Sequence, residues 1–157
     1  MPRHSYKRQP VKPDNVYNSI EIAKLINYLI HDGEKSVAKG IVYQVMEMLK
    51  KDNPDPLKVL NLALSNVYPQ HEVKPKRLGG ASYLVPIEVR PDRKLFLGLN
   101  WIIDAARARS NKEFHTFAEK LFTEIIEASK NQGQAVAKKA QTEKLADANK
   151  AFSHLKW

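Results

Sequence analysis

The residues of this sequence best suited to chemistry are basic side chains grouped around two adjacent glycines. Four of them flank the pair at positions 79 and 80: Lys74, Lys76, Arg77 and Arg90. Ammonium and guanidinium groups donate charge-assisted hydrogen bonds to phosphate oxygens. Glycine lets a backbone approach a ligand closely because it carries no side chain. The grouping therefore predicts a narrow basic ribbon that binds a phosphate backbone.

Further basic residues follow the ribbon and could hold a second stretch of backbone: Arg93, Lys94, Arg107, Arg109 and Lys112. Double-stranded RNA is recognised by its shape, its phosphates and its 2′-hydroxyls, because side chains cannot read its deep major groove. A thin ribbon with scattered basic groups suits that kind of ligand. Tyr83, Phe152 and Trp157 are candidates for stacking on bases, with ordinary packing as the alternative for each.

Catalytic chemistry has no comparable support in the sequence. None of the five histidines lies four residues from another, the spacing that places two zinc ligands on one helical face. The glycine pair lacks the Lys-Ser or Lys-Thr of a nucleotide-binding loop. Glu119, Glu124 and Glu127 are predicted to lie on the solvated face of a helix. We therefore expect no enzyme activity, metal site, cofactor or small-molecule substrate.

The net charge of +9 is unevenly distributed along the chain. Residues 1–12 contain four basic residues and no acidic residue. Residues 70–112 contain nine basic and four acidic residues, and residues 130–157 contain six basic and two acidic residues. Such segregation favours a polyanionic partner. There is no cysteine, which excludes disulfides and thiolate metal sites. No apolar run is long enough to span a membrane, so we expect no membrane partner.

Hydrophobic spacing predicts a single, mainly α-helical domain over residues 1–157 with about six helices. Residues 1–17 are expected to form a basic, extended arm that becomes ordered on a partner. Asn18, with Glu21 three residues later, is predicted to cap the first helix. Five residues of the second helix are expected to face the core: Val37, Ile41, Val45, Met48 and Leu49. Asp55 is predicted to cap the third helix. The fifth helix is expected to begin near Lys112, and a C-terminal helix is expected to occupy residues 134–157.

The pattern changes to alternation between residues 72 and 90, which predicts a β-hairpin with its turn at the glycines. Pro75 and Pro86 cannot donate hydrogen bonds to a neighbouring strand, so this hairpin cannot lie inside a larger sheet. We expect an isolated two-stranded ribbon that protrudes from the helical body. Such ribbons are marginally stable alone.

Four segments carry a resemblance to a known family. They are YNSIEIAKLINYLIHDGEKSVAKGIVY (17–43), DPLKVLNLALSNV (55–67), EVKPKRLGGASYLVPIEVRPDRK (72–94) and ADANKAFSHLKW (146–157). Together they resemble bacterial ribosomal protein seven of the small subunit, in order and over essentially the whole chain. The resemblance implies six helices with a protruding hairpin, a structural role in the ribosome, and a cytoplasmic location, with an organellar ribosome as the alternative.

The resemblance also implies specific partners. It implies binding to the 3′ major domain of 16S rRNA, initiation of head assembly, and a position at the E site near tRNA and mRNA. The neighbouring proteins would be ribosomal proteins nine and eleven of the small subunit. The rRNA contacts would be Arg3, Lys7, Arg8, Lys35, Lys74, Lys76, Arg77, Arg90, Arg93, Lys94, Arg107 and Arg109. The residues near tRNA and mRNA would be Leu78, Gly79, Gly80, Ala81, Lys144, Lys150 and His154.

The rival hypothesis is a DNA-architectural protein, which can also combine a helical body with a basic β-ribbon. Proteins that bend DNA through the minor groove frequently insert an apolar wedge between base steps. Here the predicted ribbon tip offers only Leu78 for that purpose.

Overall fold

A computed structural model describes residues 10–155 of the chain. The α-helices are α1 (Ile20–Leu29), α2 (Lys35–Asp52), α3 (Pro56–Val67), α4 (Pro91–Ala108), α5 (Phe117–Ser129) and α6 (Gln134–Ala148). Strands β1 (His71–Leu78) and β2 (Ala81–Glu88) lie between α3 and α4. A 3₁₀ segment, Lys150–Leu155, follows α6 and is called the C-terminal turn below. The prediction of a mainly helical domain with one two-stranded hairpin is confirmed.

Local sequence signals explain where most helices begin. The Ser19 side chain accepts a hydrogen bond from Ile22 N and caps α1. The prediction that Asn18 is the cap was wrong, because Asn18 has a positive φ of 48° and Ser19 supplies the hydroxyl. Asp55 occupies the N-cap position of α3, as predicted, but its side chain makes no capping hydrogen bond, and Pro56 is the first helical residue.

Helix α5 begins at Phe117 rather than near Lys112. Thr116 and Glu119 form a capping box, in which Thr116 Oγ1 accepts from Glu119 N and Glu119 Oε2 accepts from Thr116 N. The His115 N–H also donates to Glu119 Oε2. These backbone hydrogen bonds, from Thr116 and then His115, lower the pKa of the Glu119 carboxyl. The box stops the helix from extending further toward Lys112.

The core is built around α5, which packs against α2, α3 and α4. Leu121 and Ile125 of α5 are fully buried. The inward face of α2 consists of Ala38, Val42, Val45, Met46 and Leu49. Two of the five predicted residues, Val45 and Leu49, are therefore confirmed. Val37 is 53% exposed. Several apolar residues of α2 fit a helical period in more than one way, so spacing alone did not determine which face is buried.

The C-terminal helix is shorter than residues 134–157. It ends at Ala148, after which the backbone tightens into the C-terminal turn. Ala135 and Ala146 are its only buried residues within the described chain. Helix α6 contacts β1, and the C-terminal turn contacts β2. The ribbon forms a two-stranded sheet of its own, as predicted, and α6 and the C-terminal turn pack against it.

Candidate nucleic-acid interface

A basic cleft lies between the hairpin and helices α1 and α4. Its volume is about 1240 Å³. Its basic lining residues are Lys24, Lys74, Lys76, Arg90 and Arg93, and its acidic ones are Glu72, Glu88 and Asp92. Strand β1, helix α1 and the start of α4 with its N-cap residue thus bring together cations that are far apart in sequence. The sequence identified four of these five basic residues as candidates but not Lys24, because an isolated lysine on an amphipathic helix is typical of a solvent-exposed charge.

Strand register decides which basic groups of the ribbon share a face. Lys76 pairs with Tyr83 and Lys74 with Val85 across the antiparallel ladder. Because side chains alternate along a strand, Lys74 and Lys76 share one face. Arg77, which pairs with Ser82, lies on the other face. The ribbon therefore presents cations on both faces.

The hairpin turn has the conformation that its glycines favour. Gly79 and Gly80 have φ values of 57° and 88°. Positive φ at both central residues is the requirement of a type I′ turn, whose twist matches that of the flanking strands. A Cβ at either glycine would meet no atom within 4 Å. The tip is thus open to a ligand, and Leu78 beside it is half-buried rather than a protruding wedge.

The base of the ribbon is fixed to α4 by polar contacts. Both Nε and Nη2 of Arg93 lie 3.3 Å from Glu72 Oε2. Lys94 Nζ donates to Gln70 Oε1 at 2.7 Å. These contacts connect the first turn of α4 to β1 and to the residue preceding it. They restrain the orientation of the ribbon relative to the helices.

The segment between α3 and β1 packs closely on α4 at a glycine. A Cβ at Gly98 of α4 would lie 2.8 Å from two ring atoms of Tyr68, which follows α3. Burial of this ring raises the pKa of the Tyr68 phenol to about 12. Gly98 therefore allows the chain leading into β1 to pack directly on α4.

The C-terminal turn packs on the ribbon. The rings of Tyr83 and Phe152 have centroids 5.3 Å apart. Lys76 Nζ donates to Leu155 O at 2.6 Å, and Leu155 lines the cleft. The two aromatic residues considered for base stacking thus pack on each other. Trp157, the third candidate, lies outside the described residues.

Arg109 is directed into the protein. Its guanidinium pairs with Glu124 and Glu127, and its side chain is 15% exposed. Burial lowers the pKa of this guanidinium, but the hydrogen bonds to Glu127 and Glu124 outweigh burial and raise the pKa overall. The prediction that Glu124 lies on a solvated face was wrong, because Glu124 is fully buried. Helical periodicity could not reveal this partner, which comes from the end of α4.

The remaining candidate residues are spread over other surfaces. Arg107 lines a separate groove together with His31 and Phe117, and Lys35 is exposed at the start of α2. Lys144 is exposed on α6, and Lys150 and His154 are exposed on the C-terminal turn. Arg3, Lys7 and Arg8 lie outside the described residues. The cleft therefore brings together Lys74, Lys76, Arg90 and Arg93, and leaves the other candidates outside its lining.

The range from residue 10 to residue 155 contains no group of three or more His, Cys, Asp or Glu side chains placed to hold a metal ion. It also contains no helix with the length and apolar composition needed to cross a bilayer.

Sequence comparison gives the context for the cleft. The sequence profile of the ribosomal protein S7p/S5e family matches residues 1–150. The chain belongs to this family. The family resemblance seen in the sequence is thus confirmed.

Individual family members match over their full length. The protein named small ribosomal subunit protein uS7 from Caldicellulosiruptor bescii is 49% identical over 159 aligned positions, covering all of both chains. Proteins of the same name from Thermoanaerobacter sp. (strain X514) and Solidesulfovibrio magneticus are 49% and 48% identical, again over both entire chains.

Proposed function

We propose that this chain is a structural constituent of the small ribosomal subunit and binds rRNA directly. The observation that carries the proposal is full-length similarity, at up to 49% identity, to proteins named small ribosomal subunit protein uS7. The basic cleft supplies a physical basis. Its five cations come from one hairpin and two helices that the core and the ribbon contacts hold in place.

At a finer level, the chain is a primary rRNA-binding protein. It binds the 3′ major domain of 16S rRNA, initiates assembly of the head, and lies at the E site near tRNA and mRNA. Its protein neighbours are ribosomal proteins nine and eleven of the small subunit. The support is the likeness of the ribbon and C-terminal segments to the family, together with the open hairpin tip.

The mechanism of binding follows from the chemistry of the cleft. Lys74 and Arg90 are exposed and can donate to phosphate oxygens. The guanidinium of Arg93 is partly engaged by Glu72, and its side chain remains 47% exposed for a further contact. A ribbon and two helices can hold an RNA backbone by charge and shape without reading base edges.

The decisive experiment is equilibrium binding of the full chain to a 3′ major domain rRNA fragment, with a DNA duplex of equal length as competitor. We expect the rRNA to be preferred at moderate salt, because a site shaped for folded RNA has contacts that a uniform duplex lacks. Equal binding to both, with only the salt dependence of a general polycation, would overturn the proposal and favour the DNA-architectural alternative.

A further inference from the structure

Two aromatic rings meet in the wall of the basic cleft. Tyr28 of α1 and Phe96 of α4 both line it, with ring centroids 5.4 Å apart and ring planes at 84°. Tyr28 is half-buried and packs against the core, whereas Phe96 is 37% exposed. These two rings, called the aromatic pair below, were not among the residues that the sequence suggested for base stacking.

The exposure of Phe96 sets it apart from the other aromatic residues. Between residues 10 and 155 it is the one Phe, Tyr or Trp residue that is exposed. Tyr83 and Phe152, in contrast, pack on each other. Phe96 also lies in the cleft where the five cations come together. An open ring among cations that attract a polyanion indicates a ligand that carries both negative charge and flat, apolar surface.

Each of the two helices supplies one cation and one ring, a turn apart. Lys24 precedes Tyr28 by four residues on α1, and Arg93 precedes Phe96 by three residues on α4. Residues at these spacings are neighbours on one helix face, with Cβ atoms about 5–6 Å apart. All four line the cleft. A nucleotide whose base meets a ring can therefore have its phosphate beside a cation.

Arg93 is held against the exposed ring. Its guanidinium carbon lies 5.1 Å from the centroid of the Phe96 ring, within the range of a cation–π contact. The Glu72 carboxylate fixes the same guanidinium, with Nε and Nη2 both 3.3 Å from Oε2. The Arg93 side chain is still 47% exposed. Because bases stack on guanidinium planes as well as on aromatic rings, Arg93 and Phe96 form one preordered stacking surface.

We propose that the aromatic pair and Arg93 form a stacking site for one unpaired RNA base, while Lys24 and the other cleft cations bind the neighbouring phosphates. The inference deepens the function proposed above and rests on it. Bases inside a duplex are stacked on their neighbours and cannot reach a protein ring, so the ligand is a nucleotide in a loop, a bulge or a single strand. Stacking tolerates different bases, since every base has a π face.

The experiment measures equilibrium binding of the full chain to two RNA probes at one salt concentration. One probe is an RNA duplex with a short single-stranded adenylate extension, and the other is the same molecule with abasic ribose throughout the extension. The two probes carry the same phosphates, so the difference in their affinities reports contacts to bases. We expect the parental chain to prefer the base-bearing probe by about fivefold or more, the effect of a single stacked base.

Variants of the ring then assign the preference to this site. Phe96→Leu keeps an apolar side chain but removes the flat ring, and we expect it to abolish the preference. Phe96→Tyr keeps the ring and should retain the preference. Leu62→Ala is the matched surface control and should also retain it, because Leu62 is 52% exposed on α3 and does not line the cleft.

The rRNA fragment provides a second readout of the same variant. Phe96→Leu should lower the affinity for the fragment without changing the slope of log affinity against log salt, because no cation is removed. A flatter slope for Phe96→Leu would show that the ring acts by positioning cations and would overturn the inference.

No preference in the parental chain, or a preference that survives Phe96→Leu, would also overturn the inference. Thermal unfolding identifies a variant that does not fold, and Phe96→Met, an unbranched apolar side chain without a ring, then takes the place of Phe96→Leu. A parental chain that binds the rRNA fragment and a DNA duplex equally would overturn the proposed function and the inference together. A clear rRNA preference without the expected dependence on bases would overturn the inference alone.

Discussion

Glu124 is a fully buried carboxylate that forms an ion pair with Arg109. Its Oε2 accepts hydrogen bonds from Nε and Nη2 of Arg109, and its Oε1 accepts from Ala135 N at 3.0 Å. The second contact holds the start of α6 against α5. One residue thus joins the end of α4, the middle of α5 and the start of α6.

Removing the cation should therefore destabilise the fold strongly. Arg109→Ala leaves Glu124 buried without a compensating charge, and we expect the free energy of unfolding to fall by about 3–5 kcal/mol. Arg107→Ala is the matched control, because Arg107 is half exposed and lies 3.9 Å from Asp104. Its loss should cost less than about 1 kcal/mol. Urea unfolding measures the free energy of unfolding of both variants. If both lose less than about 1 kcal/mol, Arg109 does not stabilise the fold.

This cluster also marks a limit of sequence reasoning. The buried aliphatic residues Leu121 and Ile125 of α5 are four residues apart, which is helical spacing. Glu124 broke that pattern, and its partner lies fifteen residues earlier, beyond a loop. Nothing local distinguishes a buried, paired glutamate from a solvated one. For the same reason, the sequence alone could not show that Arg109 and Lys94 pair within the protein, whereas other basic residues line the cleft.

Whole elements were easier to predict because local chemistry determines them. The hairpin follows from alternation, two prolines and a glycine pair, and its turn lies where predicted. The helix starts at Ile20 and Phe117 were misplaced because serine and threonine caps were overlooked, although Thr116 and Glu119 have capping-box spacing. The support of the ribbon by the C-terminal turn could not be predicted, since it depends on contacts between distant parts of the chain.

The hairpin tip should be dispensable for folding. Its residues contribute nothing to the buried core, and the ribbon is held at its base by Gln70 and Glu72 and along its length by the C-terminal turn. We expect deletion of residues 78–81 to preserve a cooperative thermal transition, because the deleted residues lie outside the core.

The control for the tip deletion is Val89→Ala at the buried base of the ribbon, which should cost about 1–3 kcal/mol. Both variants are compared by thermal unfolding under the same conditions. Loss of the transition on deleting the tip would show that the tip is part of the folding unit.

The molecule as a whole combines a well-packed helical core with cations that come together only in the folded chain. The cleft carries a small excess of positive charge, with five cations against three carboxylates. The overall charge of +9 is larger, so much of the attraction to a polyanion comes from outside the cleft. Total charge and cleft contacts should therefore contribute separately to binding.

The salt dependence of rRNA binding separates these two contributions. Each phosphate contact that a protein neutralises adds about 0.7–0.9 to the slope of log affinity against log salt. Lys76→Ala with Arg77→Ala should therefore flatten the slope by about one to two units. Lys50→Ala with Lys51→Ala removes the same charge from the exposed end of α2, outside the cleft and the ribbon, and should change the slope less. If both pairs flatten the slope equally, only total charge matters and the ribbon is not at the phosphate interface. Because the two double variants carry identical net charge, a larger change in slope for Lys76→Ala with Arg77→Ala would show that the ribbon contacts phosphate directly.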